Sequence, residues 1–117
     1  NNFIKKYIFE HSNFKSDYDF YLKNNILDGE GECSKIAKEE IYYNAIFFDC
    51  GEISSVAEWL LLKDKICKSG YAILHDVFYP KSIKNFLIAT YILNSIEWKI
   101  LYFDKVSPQG GLIAQRI

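Results

Sequence analysis

Two apolar stretches of this chain run directly into an aspartate: Tyr43-Asn44-Ala45-Ile46-Phe47-Phe48-Asp49 and Gly70-Tyr71-Ala72-Ile73-Leu74-His75-Asp76. Neither alternates strictly between apolar and polar residues. Near-continuous apolar runs of this length predict strands covered on both faces, as in a parallel sheet. Between them, Val56, Trp59, Leu60, Ile66 and Cys67 form an apolar stripe at helical spacing, with Lys63, Asp64, Lys65 and Lys68 on the wet side. Ser55-Val56-Ala57-Glu58 reads as a capping box, the last-turn lysines suit the helix dipole, and Gly70 reads as a left-handed C-terminal stop. The pattern therefore predicts a helix of about fifteen residues, the crossover that parallel strands require. Strands joined in this way place Asp49 and Asp76 side by side at the carboxyl edge of the sheet, where open α/β sheets bind ligands.

The same reading extends outward. Tyr7-Ile8-Phe9 is a short predicted strand ending at Glu10, and Phe14, Tyr18, Tyr21 and Leu22 predict a helix over residues 13–24. Ile26-Leu27-Asp28 is a brief strand before the turn Gly29-Glu30-Gly31-Glu32, and a further helix is predicted over 34–41. Beyond Asp76, a loop holding Pro80 leads to a helix over 82–93, then to strands over 98–103 and 112–116 joined by Pro108-Gln109-Gly110-Gly111. Alternating strands and helices argue for an α/β fold with a mainly parallel sheet, whereas the short final turn requires the last two strands to pair antiparallel. No repeat or linker interrupts the pattern, so residues 1–117 read as a single, partial α/β domain.

Composition narrows the function. Half of the 117 residues are hydrophobic and 17% aromatic, enough for a packed core and too much for a disordered chain. The net charge of −1 comes with no basic block, so nucleic acid is not an expected partner. No apolar run approaches a membrane span and no signal peptide is visible, so no membrane partner is expected either. Cys33, Cys50 and Cys67 are widely separated, which fits reduced thiols in a cytoplasmic protein better than a zinc site or a disulfide framework. The chain has no methionine and begins at Asn1, so its start is expected to be a processing or fragment boundary.

The candidate chemistry gathers around the two aspartates. Paired carboxylates at one edge can hold Mg²⁺, a hard cation that prefers oxygen ligands; alternatively, each caps the helix or loop that follows it. His75 is a candidate general base, although strand alternation turns it away from Asp76 unless the strand has already ended. Glu52 follows Asp49 closely enough to reach the same site. Lys84 and Asn85 open a helix near Asp76, where they either bind a polar substrate or form a solvated first turn. Trp59 and Trp98 read as packing residues, His11 as a surface residue, and Tyr18, Tyr21 and Tyr79 as aromatic surface suited to sugar rings.

The ordered set carries a resemblance. Strand-Asp, helix, Gly-strand-His75-Asp76, helix, Glu97-Trp98-Lys99 and Gly110-Gly111-Leu112-Ile113-Ala114-Gln115-Arg116 resemble the carboxyl-terminal part of class I S-adenosylmethionine-dependent methyltransferases. Phe48-Asp49-Cys50-Gly51-Glu52, Ala57-Glu58-Trp59, His75-Asp76-Val77 and Lys84-Asn85 resemble a bacterial subgroup of that class. The match covers residues 26–117 well and 7–25 loosely. It departs at Cys50, where the subgroup carries glycine, at Ile53, where it carries an aromatic, and at Glu52, where a companion pattern carries histidine. The family's glycine-rich cofactor loop is also missing from this stretch.

The resemblance implies an α/β, Rossmann-like, mainly parallel sheet flanked by helices and ending in an antiparallel β-hairpin. It implies S-adenosylmethionine as cofactor, with Glu10 at the ribose hydroxyls, Glu32 (or Asp28) at the adenine, and Asp49 as a further cofactor-binding residue. Asp49, Asp76, Glu52 and His75 become the catalytic candidates, and Asp49 with Asp76 the candidate Mg²⁺ ligands. The implied activity is methyl transfer to a small-molecule or sugar acceptor, as part of a longer enzyme and compatible with a homo-oligomer. The alternative is a non-catalytic binding or dimerisation module that has lost the cofactor loop. A flavodoxin-like nucleotide-binding domain is a weaker third reading, since no phosphate-binding glycine motif supports it.

Overall fold

The computed structural model describes residues 12–24, 31–52, 54–79 and 82–117. The strands expected at Tyr7-Ile8-Phe9 and Ile26-Leu27-Asp28 lie outside these residues, as do Glu10, His11 and Asp28. In chain order the elements are α1 (Ser12–Lys23), α2 (Glu32–Lys38), β1 (Tyr43–Phe48), α3 (Ser54–Leu62), a 3₁₀ turn (Lys63–Lys65), β2 (Ile66–His75), α4 (Phe86–Leu93), β3 (Trp98–Asp104) and β4 (Gly111–Arg116). The fold is α/β, built on a four-stranded mixed open sheet of order β1-β2-β4-β3.

β1 and β2 pair parallel, while β4 runs antiparallel to both β2 and β3. The closing strands thus pair antiparallel, as their short connection requires. The expectation of a mainly parallel sheet holds for one pairing only. The reason is topological: β4 returns through a short loop and inserts between β2 and β3, so β3 runs in the same direction as β2 without touching it.

The crossover between β1 and β2 also differs from its expected length. α3 has nine residues rather than about fifteen, and Ile66 and Cys67 belong to β2. Ile66 is fully buried and pairs with Tyr43, whereas Ala45 already pairs with Tyr71, so the residues between Ile66 and Tyr71 form a bulge. Ser69 takes up the left-handed turn of this bulge with φ 64°. Gly70 is therefore a close-approach residue and not a helix stop. A Cβ there would lie 2.8 Å from the Ile66 side chain and 2.9 Å from the Asn44 carbonyl oxygen.

The carbonyls at the end of the 3₁₀ turn are capped from the far end of the sequence. Arg116 Nη1 donates to the Ile66 oxygen at 2.6 Å and to the Asp64 oxygen at 3.1 Å. The expected capping box is absent as well. Ser55 Oγ donates backward to the Gly51 carbonyl at 2.9 Å, and Ser54 Oγ accepts the Gly51 amide at 3.0 Å. Glu58 instead faces the Cys50 thiol.

One face of the sheet carries the core. Phe48, Ala72, Leu74, Leu112 and Ala114 point to it, and α3 and α4 cover it with Trp59, Leu62, Ile88 and Ile92. Trp59 is the hub, with its ring centroid 5.3 Å from both Phe48 and Trp98 and 5.9 Å from Tyr91. The packing role expected of Trp59 and Trp98 is what the fold uses. The opposite face leaves Phe47, Tyr71 and Tyr102 exposed, so the covering expected on both faces is present on one among the described residues. Trp59→Ala is expected to lose about 3–5 kcal/mol of stability in urea unfolding, as large aromatic deletions from a packed core do. A loss below about 1 kcal/mol would place the hub elsewhere.

Candidate functional site

β1 ends at Phe48 and β2 at His75, and their final carbonyls need donors once the ladder stops. Asn85 supplies both. Its Nδ2 donates to the Phe48 oxygen at 2.8 Å and to the His75 oxygen at 2.5 Å, from a fully buried side chain. Its backbone amide donates to the Asp76 oxygen at 3.2 Å, and its carbonyl accepts the Ala89 amide at 2.9 Å as α4 begins. One residue thus ties both strand ends to the start of the next helix. The residues just beyond those ends, Asp49 and Asp76, are held as neighbours.

Asp76 has a left-handed backbone, φ 58°, a conformation that aspartate tolerates better than most residues. This turn breaks the strand alternation that sets His75 and Asp76 on opposite faces. His75 Nδ1 lies 2.9 Å from Asp76 Oδ1, although the approach lacks hydrogen-bond direction and leaves that buried oxygen without a donor among the described residues. The chain beyond Asp76 is held by the β3–β4 loop: the Val77 and Phe78 amides donate to the Gln109 carbonyl at 2.9 and 3.0 Å. Gly110 closes this contact with φ 70°, where a Cβ would meet the Phe78 ring at 2.7 Å.

Lys84 bridges the pair. Its ammonium donates to Asp49 Oδ1 and, at 3.3 Å, to Asp76 Oδ2. Its side chain is only 13% exposed, against 47% for Asp49. Burial works against the charge on Lys84, but the hydrogen bonds and fields of the two carboxylates outweigh it and hold the ammonium above the usual lysine value. The Lys84 hydrogen bond in turn holds the Asp49 carboxyl below the usual aspartate range, with the Lys84 and His75 charges assisting and burial opposing.

Glu52 turns to the loop before α4. Its carboxylate accepts Ser82 Oγ at 3.2 Å and the Ile83 amide at 3.0 Å, while its own amide donates to Asp17 Oδ2 at 2.8 Å. These bonds explain why α4 begins at Phe86 and not at residue 82: Glu52 and Asn85 hold the preceding residues in a turn. They also bring α1 to the rim of an open polar cleft of ≈ 370 Å³, whose walls include Ser16, Asp17, Glu52, Asp76, Lys84 and Gln109.

Cys50 borders the same cleft. Burial, reinforced by Glu58, pushes its thiol up to about 12, so it is no nucleophile at neutral pH. Glu32 does not line the cleft; it is exposed in the first turn of α2 and pairs with Lys35 at 2.6 Å. Tyr79 packs its ring against Phe86, with centroids 5.8 Å apart.

The structure thus brings Asp49, Asp76, His75 and Lys84 together, sets Glu52 behind them as a brace, and leaves Glu32 outside. Ligand atoms of Asp49, His75 and Asp76 lie within 4.8 Å of one another. As arranged they do not fit Mg²⁺, because Lys84 already takes one oxygen from each aspartate and Asp76 turns the other toward His75. Sequence reasoning missed both the clamp made by Asn85 and the bridge made by Lys84. The available signal was an asparagine directly ahead of the apolar run at Phe86, a position that often caps a helix.

Replacing Asn85 by alanine removes the donor shared by the Phe48 and His75 carbonyls and is expected to cost about 2–4 kcal/mol; unfolding in urea measures it, and a neutral result would dismiss the clamp. The Lys84 bridge gives a pH signature. Asp49's lowered value means that its share is present above 3.8 and lost as the pH falls through the folded value. Lys84's raised value means that its share is present below 10.5 and lost as the pH rises through the folded value. The stability difference between the protein and Lys84→Met is therefore expected to be flat through neutral pH and to shrink at both extremes; a pH-independent difference would contradict the pairing. No family model matches the chain, and no curated protein matches it significantly.

Proposed function

We propose that this chain forms the acceptor side of an S-adenosylmethionine-dependent methyltransferase that acts on a hydroxyl-bearing small molecule or sugar. The observation that carries the reading is the delivery of Asp49 and Asp76 to one edge by neighbouring parallel strands. That is the edge where the resemblance implies acceptor chemistry. In this reading β1, β2 and β3 are the co-directional strands of a Rossmann-like sheet, and β4 is its reversed last strand.

The cofactor supplies an electrophilic methyl group when bound. Among the described residues, Glu32 stands outside the cleft, so the cofactor side rests on the resemblance and the geometry bears on the acceptor. There the task is in-line displacement: an oxygen must be held, relieved of its proton and screened from water. Asp76 offers a buried oxygen without a hydrogen-bond donor, suited to accept an acceptor hydroxyl. His75, in contact with that oxygen, is placed to take up the proton. Lys84 keeps the two carboxylates in position.

A second reading draws on a different observation. Asp49 and Asp76 both engage Lys84, and Glu52 engages the loop before α4, an arrangement that also suits a non-catalytic binding module. Calorimetry with S-adenosylmethionine separates the two. The methyl-transfer reading expects binding heat and a raised melting temperature, and in the longer enzyme His75→Gln lowering turnover by at least ~100-fold at nearly unchanged melting temperature. The absence of both heat and thermal shift at millimolar cofactor would contradict it and leave the binding module.

A further inference from the structure

Two aspartates at a sheet edge attract a cation, and this edge contains one. We infer that Lys84 is the resident cation of the Asp49–Asp76 pair, holding the place a divalent metal would take, so that these carboxylates do not recruit a metal. The inference stands on geometry alone and holds whether or not the cleft transfers methyl groups.

Three observations carry it. The Lys84 ammonium donates to one oxygen of each aspartate, the bridging contact that a metal ion would make. Its side chain is enclosed, 13% exposed, so swinging it aside would leave either a displaced charge or an unpaired buried one, both costly. The backbone that carries it is fixed from both sides: Ile83 by the Glu52 carboxylate and Asn85 by the two strand carbonyls. Mg²⁺ also demands near-octahedral oxygen ligands and gives up its water reluctantly. Here a third ligand would be the imidazole of His75, which already faces Asp76. Lys84 is thus a positioning residue whose charge stands in for the metal's.

Mn²⁺ titration followed by electron paramagnetic resonance tests this. The protein and its Lys84→Arg variant, which keeps a cation, are expected to leave Mn²⁺ free up to ~1 mM, the weak end of carboxylate sites. Lys84→Met is expected to bind Mn²⁺ at least ~10-fold more tightly, and adding Asp49→Asn to it should abolish that gain. Submillimolar binding by the unaltered protein that Asp49→Asn removes would overturn the inference, as would a folded Lys84→Met that gains nothing. Should Lys84→Met fail to fold, Mn²⁺ broadening of the Asp49, His75 and Asp76 amide resonances in the unaltered protein decides. Unbroadened signals support the inference, and submillimolar broadening overturns it.

Discussion

A buried amide holds the carboxyl ends of the parallel pair together, and the rest of the site depends on it. Where strands end, carbonyls lose ladder partners, and burial makes each unpaired one costly. Asn85 satisfies the last carbonyls of β1 and β2 with a single Nδ2 group. Because Asn85 also opens α4, the helix that covers the core is registered to the edge that carries the aspartates. Core packing around Trp59 and the placement of Asp49 and Asp76 are therefore two consequences of one constraint.

Electrostatics completes what the clamp begins. Two carboxylates brought together repel each other, and Lys84, one residue before Asn85, arrives with the same turn to neutralise them. Glu52 fixes that turn from the other side through Ser82 and Ile83. Backbone satisfaction, charge balance and loop position are thus coupled, and a change at any one is expected to disturb the others non-additively. His75 joins only because Asp76 leaves the strand with a left-handed turn, which places an imidazole beside a buried carboxylate oxygen.

Much of this was legible in the sequence where the signal is local. β1 and the end of β2 stood out as apolar runs, and their aspartates followed from the parallel pairing. α3 was overextended because Ile66 and Cys67 satisfy a helical stripe as well as a strand. Tertiary packing decided the matter, burying Ile66 beside Tyr43. Gly70 reads equally as a helix stop or as a close-approach residue, and only the bulge distinguishes the two. The insertion of β4 between β2 and β3 has no local signature, since strand order is set by packing. Lys84 and Asn85 were placed near Asp76, but their bridging and clamping roles escaped because their partners lie far away in sequence and include backbone carbonyls, which no residue pattern announces.

The central claim is that Lys84 sits between Asp49 and Asp76 as a fixed ammonium. Through-hydrogen-bond scalar coupling between the lysine ¹⁵Nζ and aspartate ¹³Cγ nuclei, measured by NMR at neutral pH, tests it most directly. The account predicts correlations from the Lys84 ammonium to the carboxyl carbons of both aspartates. A Lys84 ammonium in fast solvent exchange, coupled to neither carboxylate, would contradict it.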